Sequence, residues 1–309
     1  MQEAAHAAGG AWWERPPFRI ELPSGRALDM GPRPLVMGVL NVTPDSFSDG
    51  DRFFTLTSAV RQARDMCAEG ADIIDVGGES TRPGSDPVSA EEEKNRVIPV
   101  IEELAAEMTA LISAEMTALI SIDTQKAEVA EAALEAGAEI INDVSALRTD
   151  PEMAPLAAER KVPVVLMHMQ GRPKTMQQNP AYGEVVAEVA AWLEERIQHA
   201  AASGIDEGRL IVDPGFGFGK GLQHNLELLR RLHELHRLGR PLMVGASRKS
   251  MLGMILDLPA DERLYGTLAT VASAALSGCH IVRVHDVRPA VEVVRVCEAI
   301  RKGIEYTND

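Results

Sequence analysis

A polar or charged side chain sits at or near the end of each of eight short apolar runs in this sequence: Asn41, Asp75, Asp123, Asn142, His168, Asp213, Lys249, and the alternating pair Arg283 and His285. Each has an ordinary explanation taken singly, since an Asp after a strand often caps a helix and a His between methionines often sits in a core. A polar group at every run's end is harder to assign to capping, and a convergent polar ring is what a substrate-reading pocket requires. Arg283 and His285 share one face of an extended segment, expected to be inward, just ahead of a helix opening at Arg288 and Pro289. Amides at that helix start favour negative charge, so the pair reads as a diphosphate seat. Asn41 and Asp75 offer hard oxygens suited to Mg²⁺ that keeps several waters and binds substrate phosphates. The glycine-rich FGFGKG after Asp213 matches neither the Walker nor the dinucleotide pattern, so it is weak evidence for a phosphate loop.

The elements that must position these groups follow from the rhythm of the chain. Runs rich in Val, Ile and Leu at 35–41, 72–78, 119–123, 139–144, 163–169, 209–215, 241–247 and 280–286 alternate with longer helical patterns. That is the order of repeated βα units on a parallel sheet. Several runs are apolar on both faces, as barrel strands must be when helices cover them outside and side chains fill the interior. Many helical stretches end in Gly, and Ser89 with Glu92 forms a capping box. The expected fold is an α/β single-domain (β/α)₈ TIM barrel with its site at the C-terminal strand ends. An open doubly wound sheet is the structural alternative, because counting units does not show closure. Two loops, TPDSFSDGD and STRPGSDP, have the Gly, Pro, Ser and Asp content of active-site lids.

Composition removes other classes. A formal net charge of -15 without a basic run argues against nucleic acid, and any anionic substrate must be met by locally gathered cations. No segment approaches the roughly 18 apolar residues of a membrane span. Cys67, Cys279 and Cys297 are odd in number and far apart, as expected of buried thiols in a reducing cytoplasm. Residues 1–17 form an Ala-rich extension with Trp12 and Trp13, expected to be flexible or to cover the barrel bottom, and 18–309 form the catalytic domain. Residues 106–121 are AEMTALIS written twice, too short a period for a solenoid, which predicts a lengthened helix or surface loop before the third strand.

With the motifs GVLNVTPDSFSDG, DVGGESTRPG, SIDT, IIND, LMHMQG, DPGFGFGK, SRKS and RVHD in order over about residues 34–302, the chain resembles the dihydropteroate synthase family. The resemblance implies that Asp123, Asn142, Asp213 and Lys249 read a pterin ring, with Met167 and Phe216 lining its slot. It places diphosphate at Asn41, Arg82, Arg283 and His285, with Mg²⁺ at Asn41. It places p-aminobenzoate, and competing sulfonamides, at Phe47, Thr81, Arg82, Pro83, Lys249 and Ser250. The implied catalytic set is Asp123, Asp213, Lys249 and Arg283, acting on dihydropterin diphosphate by loss of diphosphate before arylamine attack, in a cytoplasmic homodimer. One departure is Asp51, where the family's pattern continues SDGG. Methyl transfer from a folate and a non-catalytic paralogue are the competing readings; the cations Arg82, Lys249, Arg283 and His285 oppose the first, and the filled motif positions oppose the second.

Overall fold

The computed structural model describes residues 14–43, 52–80, 87–110, 118–171 and 175–303. Eight short parallel strands form its centre: β3 (Leu35–Asn41), β4 (Ile73–Gly77), β5 (Leu119–Asp123), β6 (Ile140–Asp143), β7 (Val164–Met167), β8 (Leu210–Asp213), β9 (Met243–Val244) and β10 (Ile281–Val284). Each pairs with its neighbour in parallel register, and a Val212–Leu242 bridge joins β8 to the segment of β9. The ring therefore closes as a barrel, and the open-sheet alternative falls. Outside it run α1 (Arg52–Ala68), α2 (Ala90–Ala110), α3 (Ala127–Ala136), α4 (Met153–Arg160), α5 (Val185–Ala202), α6 (Leu222–Arg230), α7 (Ser250–Leu256), α8 (Leu264–Leu276) and α9 (Val287–Lys302).

Strand alternation sorts the side chains into two cores. Val36, Leu40, Ile74, Val76, Ile120, Ile122, Ile141, Val164, Leu166, Val212, Val282 and Val284 face the helices. The opposite parity faces the axis, where Leu35, Met37, Ile73, Leu119, Ile140, Val165, Ile211, Met243 and Ile281 fill the lower barrel. Two residues further along most of these strands, the inward positions turn polar. The interior is thus apolar below and chemical above, and one period-two pattern per strand produces both.

Strands β1 (Phe18–Glu21) and β2 (Ala27–Met30) form an antiparallel hairpin absent from the sequence reading. Its Ile20, Leu22, Leu28 and Met30 join the lower interior cluster, so the hairpin plugs the barrel bottom. The barrel residues that the hairpin covers lie far along the chain, so its place is set by contacts rather than by local pattern. Within the expected extension, residues 1–13 lie outside the described residues. Of the rest, Glu14, Pro16 and Pro17 are exposed and Arg15 is buried, donating to the carbonyls of Cys279 (2.5 Å) and Ala275 (3.0 Å) and to Glu298 (2.9 Å).

The duplicated octapeptide is described at its two ends, residues 106–110 and 118–121. Its first copy supplies the end of α2, 21 residues long, where Glu107 accepts from Arg64 of α1. The second copy ends as β5, beginning at Leu119. Residues 111–117, which join the two copies and on which the expected lengthened helix or surface loop falls, lie outside the described residues.

Candidate active site

Arg283 occupies the inward face of β10 and reaches across the barrel. Its Nε donates to Asp75 Oδ2 and its Nη2 to Asp123 Oδ2, both at 2.6 Å. Asn142 Nδ2 donates to the same Asp75 oxygen at 2.9 Å. Four strands are therefore tied at one rim by a guanidinium shared between two carboxyl groups. Burial raises the Asp123 carboxyl to about 7; Arg283 opposes this and nearby Asp75 reinforces it. Burial works against the Arg283 charge as well, yet Asp75 and Asp123 outweigh it and hold the guanidinium charged. Asp75 Oδ1 and Ser121 Oγ, on positions paired in register, are buried with no hydrogen-bond partner among the described residues.

Asp213 closes the rim from β8. Its Oδ1 accepts from Gly215 N at 2.7 Å, and burial raises its carboxyl against the opposing effects of that bond, Lys249 and Arg283. Lys249 is the residue before α7, and its Nζ stands 4.1 Å from the centre of the Phe218 ring. Arg248, at φ 56°, turns the chain there, held by Arg248 N to Thr267 Oγ1 (3.0 Å) and by its guanidinium on Asp286 (2.6 Å). His285 shares a hydrogen bond with Ser247 Oγ at 2.9 Å. Burial and then Arg283 pull its pKa down to about 4, so near pH 7 it is a neutral imidazole rather than a cation.

The structure brings together Asn41, Asp123, Asn142, Met167, Asp213, Lys249, Arg283 and His285 at the C-terminal ends of the strands, with exposed Ser250 at the start of α7. Phe47, Asp51, Thr81, Arg82 and Pro83 lie outside the described residues. Three expectations are corrected. Phe216 is fully buried in the outer core between strands and helices, whereas Phe218 clusters with Val144, Met167, Met169 and Met176 near the rim. Gly215, Gly217 and Gly219 all have positive φ, so the chain coils and its two phenylalanines diverge. His168 continues the outward parity of β7 and packs edge-on against Trp192 at 4.9 Å, outside the polar ring. Asp75 lies two residues deeper than the position paired with Asn41, with its Oδ2 held by Arg283 and Asn142, so the two side chains do not stand level at the rim.

The chemistry of the remaining donors limits how a cation could be held. No group of three or more His, Cys, Asp or Glu suited to a metal exists among the described residues. Asn41 contributes one hard amide oxygen at the end of β3, level with Gly77 and Asp123. That fits Mg²⁺ carried in mainly by phosphate oxygens and water.

A family model described as pterin binding enzyme matches residues 37–285, and the chain belongs to that family. It is 51% identical over 275 residues to the dihydropteroate synthase of Escherichia coli strain K12, covering 89% of this chain and 94% of that one. A Yersinia pestis dihydropteroate synthase solved in a sulfonamide drug complex superposes with a TM-score of 0.84 at 44% identity, covering 93% of this chain and all of that one. A Xanthomonas albilineans dihydropteroate synthase solved with 4-aminobenzoic acid gives 0.83 at 45% identity, over 93% and 99% of the two chains.

Proposed function

We infer that this barrel is a transferase with the dihydropteroate synthase activity: it joins 6-hydroxymethyl-7,8-dihydropterin diphosphate to p-aminobenzoate, giving 7,8-dihydropteroate and diphosphate. The observation that carries the reading is the single rim on which Asp123, Asn142, Asp213, Lys249 and Arg283 meet above an apolar floor, in a chain so similar to known synthases. A pterin edge carries ring N–H and amino donors beside acceptors. Two carboxylates and an amide facing two cations complement it in a dry pocket. Met167 and Phe218 then supply the faces of the slot.

In the proposed mechanism the C–O bond to diphosphate breaks first, leaving a cationic methylene on the pterin. Asp123 and Asp213 stabilise the spreading positive charge, while Arg283, His285 and Asn41 hold the departing anion, the imidazole as a neutral donor. Mg²⁺ bound through Asn41 and substrate oxygens would supply further charge neutralisation. The arylamine nitrogen then attacks, and orientation against Lys249 and Ser250, with Phe47, Thr81, Arg82 and Pro83 as proposed partners, excludes water as the competing nucleophile. Sulfonamides would compete in the same place.

Mixing the purified chain with dihydropterin diphosphate, p-aminobenzoate and Mg²⁺ tests the reading: dihydropteroate and diphosphate should appear in equal amounts, and neither product forming would refute it. The Asp123 carboxyl adds a pH signature. Only the carboxylate can accept from two pterin donors, so kcat/KM for the pterin substrate should rise with pH through a limb near 7, the value set mainly by burial. Asp123→Asn should flatten that limb; an unaltered limb in the variant would assign it to another group.

No helix among the described residues is long and apolar enough to cross a membrane. We place the protein in the cytoplasm, where the free thiols Cys67, Cys279 and Cys297 would persist, and cell fractionation checks this. We also propose a homodimer, for which the exposed Met254 and Ile255 of α7, Tyr265 of α8, and Val296 and Ile300 of α9 offer apolar surface. Sedimentation at micromolar concentration should give twice the chain mass.

A further inference from the structure

The glycine-rich loop after β8 closes on a buried cation of its own. Lys220 is 3% exposed, and its Nζ lies within hydrogen-bond distance of four acceptors: His168 Nδ1 (2.7 Å), Gly215 O (2.9 Å), Phe218 O (3.1 Å) and His168 O (3.4 Å). The positive φ angles of Gly215, Gly217 and Gly219 aim backbone carbonyls, rather than amides, at one point. That arrangement suits an ammonium and repels phosphate, which explains why FGFGKG fails as a phosphate-loop pattern. A Cβ on Gly215 would collide with the carbonyl oxygen of His168, and one on Gly219 with that of Gln170, so the loop must lie directly on the end of β7.

Further bonds show that the loop is built around this contact. Tyr182 Oη donates to Gly219 O (2.9 Å), Gly217 N donates to Asn225 Oδ1 (2.8 Å), and Asn225 Nδ2 donates to Lys220 O (3.2 Å). Outward-facing His168, which has no place in the polar rim, thereby acquires a role as an acceptor. Burial and then Lys220 itself pull its pKa down to about 2, so its ring is neutral, and the bond leaves Nε2 as the protonated nitrogen.

We propose that Lys220 is a positioning residue for pterin binding: its ammonium staples the loop carrying Phe218 and the Gly215 amide to the end of β7. Through that staple it fixes the Asp213 carboxylate and the ring beneath Lys249. Lys220 touches no substrate in this account. The proposal rests on the dihydropteroate synthase reading and deepens it, because what the staple aligns is one wall and one carboxylate of the pterin slot. The arylamine partners lie on other loops, after β3 and β4 and at the start of α7. Burial lowers the Lys220 amine to about 7 with Asp213 opposing, but three carbonyls and a ring nitrogen need more hydrogens than a neutral amine carries, which favours the charged form.

The two variants are Lys220→Met, which keeps the stem and removes all donors, and Lys220→Gln, which restores two donors without the charge. The KM for dihydropterin diphosphate should rise about tenfold or more in Lys220→Met, the scale of one lost charge-assisted contact. It should rise less in Lys220→Gln, while the KM for p-aminobenzoate stays within about twofold of the parent in both. KM is independent of the fraction of folded enzyme, so a residue serving stability alone would lower apparent kcat and leave this split unseen. Equal changes in both KM values, or no change in either, overturn the proposal. So does the failure of both variants to fold, since the ammonium would then serve the barrel as a whole. An inactive parent protein would instead defeat the synthase reading, which keeps the two failures apart.

Discussion

Arg283→Ala should lower turnover by at least about a thousandfold, because it removes the cation at the departing diphosphate and releases the carboxylates that the guanidinium aligns. One residue carries both effects: Nε holds Asp75 and Nη2 holds Asp123. The sequence alone suggests a variant that melts like the parent, and the structure revises this. Breaking a buried ion pair by deleting one partner costs on the order of 3–5 kcal/mol when the remaining charge has no outlet. Here an outlet exists, since a carboxyl can stay protonated, and Asp123 is already raised to about 7 by burial.

A carboxyl whose folded pKa exceeds its unfolded value of about 3.9 stabilises the fold fully below that value and loses the contribution as pH climbs to the folded pKa. Without Arg283 the folded pKa of Asp123 rises further, widening that window upward. Arg283→Ala should therefore melt close to the parent at pH 5 and well below it at pH 8. Thermal unfolding at the two pH values checks this, and a gap that narrows as pH rises would remove Asp123 from the pair. Parental turnover in the variant would remove Arg283 from the site.

Lys249→Ala is expected to cost about a hundredfold or more in kcat/KM for both substrates, since the ammonium is assigned to the pterin edge and to the arylamine side. Its melting temperature should stay near the parent's. The side chain is half-buried, its contact with Phe218 is a cation–π interaction worth about 0.5–1 kcal/mol near a surface, and its role at the start of α7 is made by backbone. Initial-rate kinetics with each substrate varied in turn would test the shared assignment. A defect confined to one substrate would restrict Lys249 to that side of the site.

The two variants also show why Arg283 and Lys249, both read from the sequence as catalytic cations, differ physically. Arg283 projects inward from a strand and must be balanced by carboxylates from other strands, so its loss reaches the barrel's charge balance. Lys249 stands half-buried just before α7, with its Nζ over the Phe218 ring and its charge acting on Asp213. Nothing in RVHD or SRKS separates the two cases, because the difference lies in which strands face them.

Much of the architecture was legible in the sequence because local period decides it. Apolar runs with helical stretches between them impose βα units, and period-two alternation places Asp123, Asn142, Asp213 and Arg283 on the axis side without knowledge of their neighbours. Which polar groups meet, and which of two equivalent residues faces the site, was set by contacts between segments distant in the chain. Phe216 and Phe218 flank the same glycine and look alike in sequence; only the left-handed turns of the loop send one outward and the other to the rim. The surroundings of His168 and Asp75 are decided in the same way, since their partners Lys220, Arg283 and Asn142 arrive from other strands and loops. Periodicity acts along a single segment, whereas ion pairing, burial and pKa depend on distances across the barrel that only closure creates.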